Sequence, residues 1–218
     1  MEEEMIISIT AKNVREKLVA ILESMLLEDN FKLKKSNSFI VRKSKNKTET
    51  IFFKVLNFWP LCTEIEHVIF DIRFDKIEEI VNPFLAKYNF FNIEGTKTTP
   101  TIGNFISYNT KIVNFEDVDN FIDLNMNDIK AKTLDYFVKY NTMDEANILM
   151  KEQILNDNSG LYYVERNLMQ SLTLMKLCND SDFEYLPQTY IKLYSSWGGF
   201  KERGLIAIND LIEYLSRM

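Results

Sequence analysis

Scarcity narrows the possibilities for this chain before any motif does. Its 218 residues include one histidine, two cysteines, six glycines and four prolines. A single imidazole cannot build a multi-histidine metal site. Cys62 and Cys178 stand far apart and in no Cys-x-x-Cys pair, which leaves no zinc ribbon or disulfide scaffold and makes reduced thiols the expectation. So few glycines and prolines leave little linker material and no low-complexity tract. No run of eighteen apolar residues occurs, so no membrane span is expected. Glu2, Glu3 and Glu4 stand where an export leader needs positive charge, and the expected location is cytoplasmic. The Thr-rich stretch from Glu94 to Gly103 does not end in Gly-Lys-Ser/Thr, and no G-x-G-x-x-G or calcium-loop pattern is present. No cofactor and no metal are expected.

What is present builds a core. Hydrophobic residues make up 46% of the chain and aromatics 13%, enough for one large domain or two small ones. The run HVIFDIRFD places Val68, Phe70, Ile72 and Phe74 on one face and His67, Ile69, Asp71 and Arg73 on the other, the period of a half-buried strand. TIFFKVLNF is apolar on both faces and predicts an interior strand covered on two sides. FKLKK and SFIVRKS read as shorter strands joined at Ser36 and Asn37, with a hairpin tip at Lys45 to Lys47. NFISYNTKIVNF adds a strand or a strand pair.

Helices are predicted around this sheet. Thr10 caps one that runs to about Glu28 on the stripe Val14, Leu18, Ile21, Leu22, Met25 and Leu26. A second, from Lys76 to Tyr88, contains Pro83, which should bend or break it. From Glu116 onward the pattern is helical, interrupted at Asn156 to Gly160. The reading is an α+β protein: an N-terminal helix, a mainly antiparallel sheet of four to six strands, and a helical C-terminal half. Its domains would be 1–155, holding the sheet, and 156–218, a helical extension packed on it.

Charge is unevenly spread within the net of −6. Between Phe31 and Lys54, eight basic residues face Glu49 alone, a local +7, whereas Glu116 to Asp157 carries ten acids against four lysines, a local −6. The basic segment interleaves Phe31, Phe39, Phe52 and Phe53 with lysines, the composition of a single-strand nucleic-acid platform. Strand alternation explains the same interleaving if the rings face the core and the lysines face water. The overall pI of about 5.0 argues against a dedicated nucleic-acid binder. Chemistry has few candidates: His67 with Cys62 or a neighbouring carboxylate would be the only catalytic pairing. Glu116, Asp117 and Asp119 read as helix-capping acids.

Three local features carry a resemblance: the aromatic and basic hairpin around Phe39 and Arg42, the V-x-N-F element from Val55 to Phe58, and the Tyr136-Phe137 helix followed by Met143-Asp144-Glu145. Over about residues 11–155 the chain resembles a group of uncharacterised small bacterial α+β proteins, some associated with toxin-immunity loci. The resemblance implies no catalytic residues and a binding or inhibitory role. The expected function is therefore a non-enzymatic protein-binding module, as in an immunity protein. Its basic protein partner would meet Asp119, Asp123, Asp128 and Asp135. The alternatives are an enzyme built on His67 and a nucleic-acid-associated protein using the Lys32 to Lys54 hairpin.

Overall fold

Helix α1 (Ala11–Met25) starts where the Thr10 side chain accepts a hydrogen bond from the Asn13 amide, satisfying one of the first-turn donors. The computed structural model describes residues 9–34, 38–58, 62–90, 100–156, 164–196 and 201–218, the side chain of Lys201 excepted. In chain order there follow β1 (Lys32–Lys34), β2 (Phe39–Lys43), β3 (Lys47–Phe58), β4 (Cys62–Phe74), α2 (Asp75–Lys87), β5 (Ile102–Ile112) and α3 (Phe115–Lys139). The remaining helices are α4 (Met143–Leu155), α5 (Val164–Leu177), α6 (Leu186–Ser196) and α7 (Lys201–Ser216). This is the α+β class expected, with one five-stranded antiparallel sheet and a helical C-terminal half. The turn expected at Ser36 and Asn37, the acidic start at Glu2 to Glu4, and most of the Thr-rich loop lie outside the described residues.

Contacts divide the chain into two compact units, Met1–Ile72 with Gly103–Val138 and Arg73–Ile102 with Lys139–Met218. In the first, the strands lie in the order β1-β2-β3-β4-β5, so every neighbour in space is a neighbour in sequence. The β2–β3 hairpin turns at Ser44 to Lys47, where the Ser44 amide donates to the Lys47 carbonyl, at the predicted tip. Register sets Lys32 opposite Val41, Lys34 opposite Phe39 and Ile40 opposite Ile51. Ile40, Ile51, Phe53, Val55, Val68, Phe70 and Ile72 are buried on the inner face of this sheet. Helix α1 packs on its first three strands. From α3, Tyr136 meets Phe70 edge-on at 5.0 Å and Phe137 stacks on Phe31 at 5.6 Å. Each such ring contributes about 1.5–3 kcal/mol by leaving water.

Buried positions in β4 run Thr63, Ile65, then Val68, Phe70, Ile72 and Phe74. The step of three between Ile65 and Val68 breaks the two-residue period, as one extra residue does in a β-bulge. Glu66 and His67 consequently lie on the same side of the sheet, the outer one.

One expectation is corrected and two are narrowed. β3 is not covered on both faces: Thr50, Phe52 and Leu56 are half-buried, while Lys54 and Phe58 are exposed. The segment after Gly103 is a single strand, one of the two forms expected. Pro83 does not break α2, which runs through it to Lys87. The proline is on the exposed side, and buried Val81 and Leu85 hold the helix against the loss of one backbone hydrogen bond.

In the second unit α5 is the hub, with every residue from Leu168 to Met175 buried and with α2, α4, α6 and α7 all against it. Helix α4 opens on a capping box in which Thr142 and Glu145 bond each other's backbone amides.

Candidate functional site

The outer face of the sheet gathers residues that the sequence analysis assigned to different surroundings. Parity along β3 puts Thr50, Phe52, Lys54, Leu56 and Phe58 on one side, opposite Ile51, Phe53 and Val55. Phe31 and Phe53 do face the core, but Phe39 and Phe52 do not. They pair at 5.0 Å on the outer face, beside the exposed Lys34 opposite Phe39. The assumption that rings point inward while lysines point outward therefore fails for half of the set. The signal was available, because Lys54 shares its parity with Phe52.

The row continues across β4 and β5. Ser107 bonds His67, and a Cβ on Gly103 would meet the Asp71 carboxylate. By the two-residue period Phe105 then stands opposite Ile69. Phe105 is 56% exposed and stacks on His67 at 4.7 Å. The outer face thus carries two aromatic pairs, Phe39–Phe52 and Phe105–His67, with Phe58, 47% exposed, near the end of β3. Around them lie the exposed Lys32, Lys34 and Lys43 and Lys54, which is paired with Glu66. That hydrogen bond is the main reason the Glu66 carboxyl is held below the usual range.

His67 was the one catalytic candidate. Its Nδ1 is 3.2 Å from the Ser107 hydroxyl and its Nε2 is 3.8 Å from Glu66. The second distance is too long for a hydrogen bond, and Glu66 is already engaged by Lys54. Cys62 is five residues earlier on the same extended strand, roughly 15 Å away, so the thiol and imidazole cannot meet. Sequence reasoning missed Ser107 because it comes from another strand, 40 residues away. As chemistry, the group offers hydrogen bonds beside an exposed ring, without an aligned relay of base and orienting acid.

The acids named as partner contacts are all exposed on α3 but do not form one patch. At 100° per residue, Asp119 and Asp123 share one edge of the solvent side, and Asp128 lies about 140° round from Asp123, near Asp135. Lys17 already pairs with Asp119 and Lys132 with Asp128. Asp117 is a capping residue, as expected: its carboxylate accepts from the Val113 and Asn114 amides while its own amide donates to Asn114.

In the second unit, Glu78 of α2 is fully buried. One of its oxygens accepts from the Thr101 hydroxyl at 2.8 Å and the Gln170 amide at 2.7 Å, and the other lies 3.9 Å from the Arg73 guanidinium. Burial pushes this carboxyl up to about 7, offset only in part by the two hydrogen bonds and by Arg73 and Arg166. Lys151 joins Asp180 and Asp182, with Asn147 donating to Asp180. Burial and the neighbouring Asp144 push the Cys178 thiol up to about 12, which makes it a poor nucleophile. Among the described residues no group of three or more His, Cys, Asp or Glu side chains is placed to hold a metal ion, and no helix is long and apolar enough to cross a membrane.

Neither a family model, nor a curated protein, nor a solved structure matches the chain.

Proposed function

We propose that this protein is a non-enzymatic binding module whose docking surface is the outer face of the sheet, and that it takes a polyanionic partner. One observation carries this reading: the partly buried rings of Phe39 and Phe52 and the exposed ring of Phe105 share a face with the exposed Lys32, Lys34 and Lys43 and with Lys54, which is paired with Glu66. A soluble domain gains nothing in stability from leaving aromatic rings in water, and such rings beside a cluster of exposed lysines suit recognition. The acids of this face lie on β4, where Glu66 pairs with Lys54, and they do not cancel Lys32, Lys34 and Lys43 on β1 and β2 at short range. At physiological salt, fields are screened beyond about 8 Å.

The test is retention on heparin. The protein should bind at low salt and elute as salt rises, and changing Lys32, Lys34 and Lys43 together to Glu should abolish retention. Passage of the unmodified protein straight through the column at low salt sinks the proposal.

A second reading keeps the protein partner on α3. Leu124 and Val138 are 81% and 74% exposed and lie near Asp128 and Asp135 on the same side of the helix, an apolar stripe with an acidic rim that suits a basic protein. Changing the four aspartates to Lys should then slow association with such a partner, and the lysine set should leave it unchanged. An immunity role rests on the sequence resemblance alone.

A further inference from the structure

Resting on the polyanion reading, we infer that the outer face of the sheet is a site for single-stranded nucleic acid, with bases stacked on the Phe39–Phe52 and Phe105–His67 pairs. The two aromatic pairs lie on β2–β3 and β4–β5, so they are separated by about two strand spacings, roughly 10 Å centre to centre. That span is longer than one nucleotide step of an extended strand, so it suits two bases with another between them and not a single ligand ring. Each pair presents its rings tilted by about 40°, which leaves part of a π-face to the solvent. Stacking of this kind is tolerant of sequence because every base has a π-face.

The charges give the strand a path. Lys32 and Lys34 on β1 and Lys43 on β2 are exposed, and the acids of this face, Glu64, Glu66 and Asp71, belong to β4. Phosphates therefore enter over β1 and β2, where the field is most positive, and the strand crosses toward β5. There the Ser107 hydroxyl and the His67 ring nitrogens can bond a base edge that only an unpaired strand exposes. A ringless polyanion would use the lysines and leave the aromatic pairs idle. A duplex hides its bases in the stack and cannot reach them at all.

The experiment is fluorescence anisotropy with a short fluorescein-labelled oligo(dT) at two salt concentrations, competed by unlabelled duplex DNA and by heparin. The oligonucleotide should bind, and duplex should compete at least about ten-fold less well. Phe105→Ala should weaken binding about ten-fold and Phe105→Tyr should restore it, since stacking needs a ring and not its identity. Phe105 is exposed, and circular dichroism will verify that both variants fold. Replacing Lys32 and Lys34 by Glu should lower the salt slope by about 1.4, the share of two single-strand phosphate contacts. If duplex competes equally, or if Phe105→Ala and Phe52→Ala both fold and leave the affinity unchanged, the stacking inference falls and the polyanion reading survives. If neither the oligonucleotide nor heparin binds at low salt, both fall.

Discussion

The two units each bury a glutamate, and they treat it differently. Glu49 in the first is 2% exposed and lies between two cations, Arg42 and Lys47. Arg42 is itself held over the Phe31 ring at 4.5 Å. Glu78 in the second is 0% exposed, and its two direct hydrogen-bond donors, Thr101 and Gln170, are neutral. Removal from water is nearly the same for both, so the difference lies in the partners. A buried carboxylate whose direct hydrogen bonds come from neutral groups gains affinity for a proton when the cost of burial outweighs the more distant cations. The first unit has packed Glu49 into an ion cluster with Arg42 and Lys47, whereas the second has buried Glu78 with its carboxyl pushed up to about 7.

The largest effect concerns neither glutamate but the packing that surrounds the first. Phe70→Ala should cost about 3–5 kcal/mol in urea denaturation, because it removes the ring against Tyr136 and leaves a cavity. A loss below about 1 kcal/mol would mean that the inner face is not the core of that unit.

Next comes the pH dependence of Glu78. Its carboxyl titrates near 4.5 when unfolded and near 7 when folded, so between those values the folded chain binds more protons. Stability should therefore fall as pH rises through this window, by about 3 kcal/mol at 1.36 kcal/mol per unit, with the loss complete above the folded value. Glu78→Gln should flatten that decline, as measured by unfolding free energy at about pH 5 and pH 8; an unchanged slope would remove the contrast between the two units. Glu49→Gln should act in the opposite sense, destabilising by about 2 kcal/mol at neutral pH because Arg42 and Lys47 lose their counter-charge. That figure allows for the partial exposure of Arg42. The smallest change, Thr142→Ala, should cost about 1 kcal/mol through the α4 capping box and leave the pH profile of the second unit untouched.

How much of this was legible depended on the range of the interactions. The alternation of Phe70, Ile72 and Phe74 identified a core strand from nine residues, and the structure buries all three. Thr10 and Asp117 announced their helix starts because a cap is made within three or four residues. The bulge was written in the three-residue step from Ile65 to Val68, and the outer-face rings in the parity of Lys54, although the composition alone suggested otherwise. Glu78 gave no local sign. Its donors come from residues 23 and 92 positions away, and nothing in the sequence around it distinguishes it from Glu79. His67 was singled out as the only histidine, yet the Ser107 beside it depends on the pairing of β4 with β5.

The strand order also sets a timetable for folding. β1 to β4 follow one another closely and can zip together by local turns, the fast class of contact. β5 arrives only after Phe74 has led into α2 and the chain has returned at Ile102, and closing that longer loop carries a larger entropic cost. On the ribosome, four strands can therefore assemble while β4 still presents an open edge, and the last strand to be added is the one that brings Phe105 and Ser107. That outer face is finished late, so a nascent chain holds its lysines and the Phe39–Phe52 pair well before the Phe105–His67 pair is complete.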